Sequence, residues 1–196
     1  MKMILKICLS FTFIVSHSGR LSAQTSNQST EKTAKLTCDE IQQLKDLAGK
    51  KFDGLKGHKD TSDTTSTFLD YFFSKTSYGI NGSTRIAVEH TFGSVSMQFS
   101  LYYGIDGRKT DQIYQLVLNE LSKCLTPLGF EKQNKKYPNQ NPLIDPVKET
   151  TEYSNFQLHT RYIVTLLNPT VYEIVSGKPK TYIPDNLVVV DVLRLP

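Results

Sequence analysis

Histidine side chains are the first candidates for chemistry, because imidazole binds metals and transfers protons near neutral pH. Outside an N-terminal leader described below, the chain contains His58, His90 and His159. None has a partner at the spacing of a zinc site, and no HxH, HExxH or CxxC motif occurs. Glu89 and His90 are neighbours on an expected strand, so they point to opposite faces. The sequence therefore predicts no metal site, no cofactor and no catalytic residue.

One composite polar site is conceivable on the expected sheet. His159 and Arg161 fall on the same face of one strand and could lie near Gln98 and Ser100 of another. Polar residues on one face of a strand are typical of a surface in contact with water. We interpret this group as a solvated sheet face.

Motifs for phosphate binding and for nucleophilic catalysis are also missing. Residues 79–82 indicate a turn rather than a P-loop or a dinucleotide fingerprint. No GxSxG elbow occurs, and the SxxK spacing of Ser29 and Lys32 lies in a polar segment that could not desolvate the lysine. These observations favour a protein without enzymatic activity.

Two cysteines remain once Cys8 is removed with the leader. Cys38 precedes Ile41 by three residues, and Cys124 lies in line with Leu121, so each cysteine extends an apolar helix stripe. Two stripes that face one sheet would bring the thiols together. We predict a Cys38–Cys124 disulfide, which closes a loop of about 87 residues and stabilises the fold by about 4 kcal/mol. Two separate buried thiols, or a reactive Cys38 at a helix N-terminus, are the alternatives.

A long segment with three prolines, residues 133–155, is the expected interaction surface. Loops of this length without regular structure are uncommon in compact domains and are often functional. Exposed aromatic rings in loops and at strand edges often mark an interface. The candidate surface residues are Tyr137, Pro138, Pro142, Tyr153 and Tyr102. Partly buried rings that cover the sheet ends are the alternative interpretation.

The first of two expected helices begins at Thr37, whose spacing to Glu40 is that of a capping box. Its end is predicted at Gly54 or Gly57. The apolar stripe comprises Ile41, Leu44, Leu47, Ala48 and Phe52.

The second expected helix is capped by Thr110 or Asp111 and closes at Gly129. Its apolar positions repeat at helical spacing, which indicates an amphipathic helix. They are Ile113, Leu116, Val117, Leu121, Cys124 and Leu125.

Alternation with a period of two predicts the strands. Residues 85–90 and 94–103 flank a turn, residues 156–166 alternate again, and residues 187–195 are almost continuously aliphatic. Residues 68–73 fit either a strand or a short helix. The order of elements is α-β-β(-β)-α-β-β. It predicts an α+β fold with an antiparallel sheet of about five strands and two amphipathic helices on one face.

The N-terminus has the layout of a secretory signal peptide. Lys2 and Lys6 precede a mostly apolar stretch at residues 7–15, and small and polar residues follow. The apolar stretch is far shorter than the roughly 20 residues of a membrane-spanning helix. We predict that residues 1–23 are removed by cleavage after Ala23. We therefore expect the signal peptide to direct export of the protein, to the periplasm or out of the cell.

Cleavage after Ser18 is the alternative. Residues 24–35 are polar and predict a flexible tether, and residues 36–196 predict a single domain. The full chain carries 23 Lys and Arg against 19 Asp and Glu; without the three cations of the leader, 20 face 19. This balance argues against a nucleic-acid partner.

Three functional hypotheses follow. The first is an exported, non-enzymatic binding or interaction module of the cell envelope, with a partner that the sequence does not identify. The second is a carrier of a small apolar ligand, with a pocket lined by Phe99, Leu101, Tyr162 and Val164. The third is a hydrolase whose site is assembled from dispersed residues. An exposed aromatic patch would favour the first, a dry cavity the second, and a deep pocket with a histidine beside an acid the third.

Overall fold

The structure is a computed structural model that describes residues 31–61, 68–80, 82–104, 106–136, 147–167, 171–175, 178–182 and 186–195. The predicted signal peptide and the first part of the predicted tether lie outside these residues.

The described part of the chain contains eleven strands, two α-helices and one short 3-10 helix. In chain order they are β1 (Lys32–Thr33), α1 (Cys38–Gly49), β2 (Lys56–Lys59), β3 (Leu69–Ser74), β4 (Arg85–Glu89), β5 (Val95–Gly104), α2 (Gly107–Leu125), the 3-10 helix (Thr126–Leu128), β6 (Glu131–Lys136), β7 (Val147–Asn155), β8 (Thr160–Leu167), β9 (Val171–Val175), β10 (Lys178–Tyr182) and β11 (Asn186–Arg194).

Nine of the strands form one antiparallel sheet. Eight follow the order β2-β3-β4-β5-β11-β8-β7-β6, and β1 also pairs with β5. The remaining two, β9 and β10, pair with each other as a separate two-stranded sheet. The expected α+β class with an antiparallel sheet is confirmed, but the expected size of about five strands is wrong.

The additional strands lack the sequence pattern that reveals a half-buried strand. All six residues of β6 are exposed, and the edge strand β2 consists of lysines, a glycine and a histidine. Polar, lysine-rich edges protect a sheet from pairing with other chains, and they carry no apolar alternation. Strands β6 and β7 both lie mostly within residues 133–155, which the sequence analysis treated as a loop.

The final residues of the predicted tether also belong to the sheet. Lys32 pairs with Tyr103 and Thr33 with Tyr102, and the Ala34 N–H donates to the Leu101 carbonyl at 2.9 Å. This part of the segment is a short strand because β5 extends beyond β4 and offers free backbone groups there. Residues 68–73, for which the sequence allowed either a strand or a short helix, lie mostly in strand β3.

The helix starts show how local chemistry sets element bounds. The capping box of Thr37 and Glu40 is confirmed, although α1 ends at Gly49, earlier than predicted. The second helix begins before Thr110, because the Asp106 carboxylate accepts the N–H groups of Arg108 and Lys109 at 2.9 and 3.2 Å. Asp106 therefore accepts two of the backbone N–H groups that have no partner within the first turn of the helix.

Buried tyrosines on neighbouring strands bind both helices to the sheet. The Tyr162 hydroxyl on β8 donates to the Ile41 carbonyl of α1 at 2.7 Å. The Tyr153 hydroxyl on β7 donates to the Leu118 carbonyl of α2 at 2.9 Å. Burial raises the pKa of Tyr162, so its hydroxyl stays protonated as a donor.

The core is formed by apolar residues of both helices and by the alternating positions of the central strands. Its fully buried members include Ile41, Leu44, Phe52, Ile86, Met97, Phe99, Leu101, Leu121, Val164, Val190 and Val192.

Candidate functional site

The predicted disulfide is present. Cys38 at the start of α1 bonds to Cys124 near the end of α2, with 5.5 Å between their Cα atoms and a sequence separation of 86. The bond ties the two helices together at one end. This prediction is confirmed because each cysteine does extend the buried stripe of its helix.

The predicted interaction surface is not brought together. Tyr102 and Tyr153 are fully buried, so neither can contact a partner at the surface. Tyr153 faces α2, where its hydroxyl binds Leu118, and Tyr102 pairs with Val188 in the middle of the sheet. The period-two alternation of β5 predicts that Tyr102 is exposed. The side chain is buried instead, because a register shift between β5 and β11 occurs beside it. Tyr137, Pro138 and Pro142 lie outside the described residues.

Four large apolar side chains lie exposed at a single end of the nine-stranded sheet. Strand register places the start of β3, the β4–β5 turn, the end of β11 and the β7–β8 turn at this end. The exposed residues are Phe68 (65%), Phe92 (58%), Phe156 (67%) and Leu158 (41%). With strands about 4.8 Å apart, the row spans about 22 Å. We call these four residues the apolar end.

The buried carboxylate of Glu89 fixes the β4–β5 turn. Its oxygens accept the backbone N–H groups of Thr91 at 2.5 Å and Phe92 at 2.8 Å. Burial alone would raise the pKa of Glu89, but these hydrogen bonds outweigh it and lower the pKa. The carboxylate is therefore ionised at neutral pH and holds the backbone of Phe92 in place.

The side chain of Asn155 fixes the β7–β8 turn. Its oxygen accepts the Leu158 N–H at 3.0 Å, and its nitrogen donates to the Leu128 carbonyl at 3.0 Å. His159 has a φ of 48°, in the left-handed region that the tight turn requires. Arg194 donates to the Leu158 carbonyl. The two turns that carry Phe92, Phe156 and Leu158 are thus held by side-chain hydrogen bonds to the backbone.

A row of residues that is polar except for Ile163 crosses one face of the sheet. Direct pairing aligns Arg85, Gln98, Asp191, Ile163 and Glu152 on five successive strands, β4, β5, β11, β8 and β7. We call this side of the sheet the polar face. It contains the residues Gln98, Ser100 and Arg161 of the expected composite site, whereas His159 lies in the β7–β8 turn.

Asp191 is the unusual member of this row, since it interrupts the aliphatic strand β11. Burial raises the pKa of Asp191 to about 7, although a hydrogen bond with Gln98 opposes the shift. Nearby on the same face, Arg161 Nε lies 2.9 Å from Glu152 Oε1. Arg161 is therefore already paired with Glu152.

Further charged groups form ion pairs near β3. Arg85 contacts Asp60 at 2.7 Å, and the Lys59 ammonium lies 2.6 Å from Asp70. The lysine is the main cause of the lowered pKa of Asp70. His90 Nε2 lies 3.4 Å from the other Asp70 oxygen, but the histidine side chain is half exposed. This histidine and acid lie on the surface, not in the deep pocket that a dispersed hydrolase site would need.

The structure gives little support to a ligand cavity. The four residues expected to line an apolar pocket are all fully buried members of the core. A shallow, open depression lies on the outer side of α2. It is lined by Asp111, Gln112, Gln115, Leu116 and Asn119.

One group of side chains in the described residues has the composition of a metal ligand set. Glu120 Oε1 lies 3.7 Å from Cys38 Sγ and 3.9 Å from Cys124 Sγ, and the three atoms lie within 4.8 Å of one another. Here the two sulfurs are joined as a disulfide. Sequence spacing could not reveal this group, since Cys38 is 82 residues from Glu120.

Comparison with known proteins gives no relative: no family, no curated protein and no solved structure matches the chain. In the described part of the chain, neither helix combines the length and the apolar composition needed to cross a membrane. By its fold, the described part of the chain is an α+β protein with a nine-stranded antiparallel sheet, two helices and an internal disulfide.

Neither the apolar end nor the role of Asp191 was evident from the sequence pattern. Phe156 and Leu158 were assigned to a strand because they continue the alternation of β8, yet they belong to a turn. The signal for Asp191 was visible as a single acid inside the run of valines and leucines at residues 187–195. A charged residue inside a buried strand is rare unless it is paired or functional.

Proposed function

We propose that this protein is an exported, non-enzymatic interaction module of the cell envelope that binds a protein partner through the apolar end. The observation that carries the proposal is the exposure of Phe68, Phe92, Phe156 and Leu158 on neighbouring strand ends and turns. Clustered exposed aromatic residues are enriched at protein interfaces and often supply most of the binding energy.

The rigidity of the two turns supports a binding role. Glu89 and Asn155 hold the backbone of the turns that carry Phe92, Phe156 and Leu158. A surface whose conformation is fixed before binding loses less entropy when the complex forms. The row of about 22 Å is also comparable with the width of a standard interface patch.

The charged groups beside the apolar end are already partnered within the chain. Arg194 donates to the Leu158 carbonyl, and His90 Nε2 lies 3.4 Å from Asp70. The nearby carboxylate of Glu89 is buried and bonded to the backbone. The complementary partner surface therefore has an apolar centre.

We also infer that both helices lie on one face of the sheet. Tyr153 and Tyr162 are directly paired across β7 and β8, and such residues point to the same face. One donates to α2 and the other to α1. The arrangement leaves the polar face without a helix among the described elements.

Export is supported by two independent features. The N-terminal 23 residues have the composition of a signal peptide, and the Cys38–Cys124 disulfide is typical of an oxidising compartment.

Site-specific photo-crosslinking in the envelope of the source cells tests the binding surface. Benzoylphenylalanine placed at Phe92 or Phe156 should crosslink to the same discrete protein. The matched control is Leu116, which is 63% exposed on α2, and it should not form this crosslink. Equal crosslinking at Leu116, or adducts with lipid alone, would contradict a protein partner at the apolar end.

Once the crosslinked partner is identified and purified, calorimetry measures the affinity of this protein for it. The double variant F92S/F156S should weaken binding at least about tenfold, because interface aromatics contribute 1.4 kcal/mol or more. L116S should bind like the wild type. Circular dichroism checks that both variants are folded.

A further inference from the structure

The contact between Glu120 and the disulfide has no evident value in the oxidised protein. A disulfide sulfur carries no proton, so it cannot donate a hydrogen bond to the carboxylate oxygen that lies 3.7 and 3.9 Å away. Lys123 approaches the same oxygen at 3.6 Å, as an exposed ion pair of small energetic weight. If the two sulfurs were reduced, each could bind a proton or a metal ion beside this carboxylate.

Reduction would leave three metal-binding groups at one place. Thiolates and carboxylates both bind zinc, at about 2.3 Å for sulfur and 2.0 Å for oxygen. A tetrahedral site with these bond lengths has S···O separations of about 3.5 Å and an S···S separation of about 3.8 Å. The observed S···O separations of 3.7 and 3.9 Å already approach this geometry. Only the two sulfurs would have to move apart.

The positions of the three residues favour a shared site. Glu120 and Cys124 are four residues apart on α2 and therefore lie on one side of that helix. Cys38 is held against them because α1 and α2 pack together, with the cysteine Cα atoms 5.5 Å apart. Cys38 and Glu120 are partly exposed, so an ion could enter from solvent.

We propose that reduction of the Cys38–Cys124 disulfide creates a zinc site formed by Cys38, Cys124 and Glu120, with water as the fourth ligand. A phosphine or dithiol reductant supplies two electrons, the S–S bond breaks, and each sulfur gains a proton. The phosphine becomes a phosphine oxide with oxygen from water, or the dithiol becomes a disulfide. Binding of Zn²⁺ then releases the two thiol protons to solvent.

Metal binding by the full mature chain tests the proposal. The chain is reduced with a water-soluble phosphine and titrated with Co²⁺, whose thiolate bonds give charge-transfer absorption. Zn²⁺ affinity is measured by competition with a chromophoric chelator. We expect about one Zn²⁺ per reduced chain and no binding to the oxidised chain. Equal Zn²⁺ binding by the oxidised chain, or none by the reduced chain, would overturn the site.

The variant E120Q isolates the carboxylate ligand. It should form the disulfide normally but bind Zn²⁺ at least tenfold more weakly after reduction. The matched control is D111N, which removes an acid from the same helix. Asp111 pairs with Lys148 and lies near the opposite end of α2 from Cys124. Equal affinity of E120Q and the wild type would exclude Glu120 as a ligand.

Thermal unfolding tests the zinc site even if reduction lowers the stability of the fold. Zn²⁺ should raise the melting temperature of the reduced wild type and leave that of C38S/C124S unchanged. A reduced chain that stays unfolded with Zn²⁺ present would overturn the proposal.

Discussion

Asp191 is the residue whose environment departs most from that of a surface acid. It lies on β11 between valines, and its direct neighbours across the strands are Gln98 and Ile163. Burial disfavours the charged carboxylate, so the folded protein binds the proton more tightly than the unfolded chain does. The polar face thus contains a group that changes charge close to neutral pH.

This shift predicts how stability depends on pH. Because the pKa of Asp191 is raised from 3.8 to about 7 on folding, its contribution is most favourable below about pH 4. That contribution is lost as the pH rises to 7, and it is constant above that. D191N should therefore be more stable than the wild type at pH 8, by up to about 4 kcal/mol, with little advantage at pH 4.

Urea unfolding of D191N and wild type across this pH range measures the difference. D46N removes a charge at an exposed position of α1 and serves as the control. An advantage of D191N that stays constant from pH 4 to 8 would show that the pKa of Asp191 is not shifted.

Element boundaries in this chain depend on single side chains. The sequence favoured Thr110 or Asp111 as the cap of the second helix, since both precede its apolar stripe. The structure places the cap at Asp106, where one carboxylate oxygen accepts two backbone N–H groups. Three more residues before Thr110 therefore join the helix, which begins at Gly107.

The two cap assignments predict different effects of substitution. D106A should reduce the free energy of unfolding by about 1 kcal/mol, because two N–H groups of the first turn lose their acceptor. D111A should have a smaller effect, since Asp111 makes an exposed ion pair with Lys148. Chemical denaturation of the two variants decides between them, and a larger loss in D111A would favour the original assignment.

The β7–β8 turn shows why alternation alone misplaced an element. Residues 156–159 continue the pattern of β8, so they read as its first residues. Asn155 instead binds the Leu158 N–H, and the chain reverses at His159. Both features depend on the neighbouring 3-10 helix, because Asn155 also donates to the Leu128 carbonyl. The pattern within one strand cannot report such a contact.

At the scale of the whole molecule, the disulfide links two helices that lie far apart in the sequence. The cysteines are separated by 86 residues, and they connect the first helix with the second. Closing so long a loop restricts the unfolded chain more than the folded one.

Removal of the disulfide should therefore lower stability strongly. C38S/C124S should lose on the order of 4 kcal/mol in free energy of unfolding. Guanidinium unfolding measures this, with a chelator present so that trace metal does not bind the reduced wild type used for comparison. Reduced wild type should show a similar loss. A double variant as stable as the oxidised protein would mean that the bond does not stabilise the fold.

The sequence by itself determined the features that depend on local chemistry. The capping box at Thr37, the alternation of β5 and the apolar helix stripes identified an α+β fold, and the stripes also placed Cys38 and Cys124 on faces that could meet. Only the tertiary structure decided the number of strands, because the polar strands β2 and β6 are held by pairing with distant segments.

The candidate sites were likewise decided by tertiary structure. Phe92 and Phe156 lie 64 positions apart and share one end of the sheet only because β11 inserts between β5 and β8. Tyr153 could be exposed or buried on its local pattern, and the packing of α2 against β7 buries it. Which side chains meet depends on strand pairing, and pairing is set by the free energy of the whole core rather than by the residues on either side.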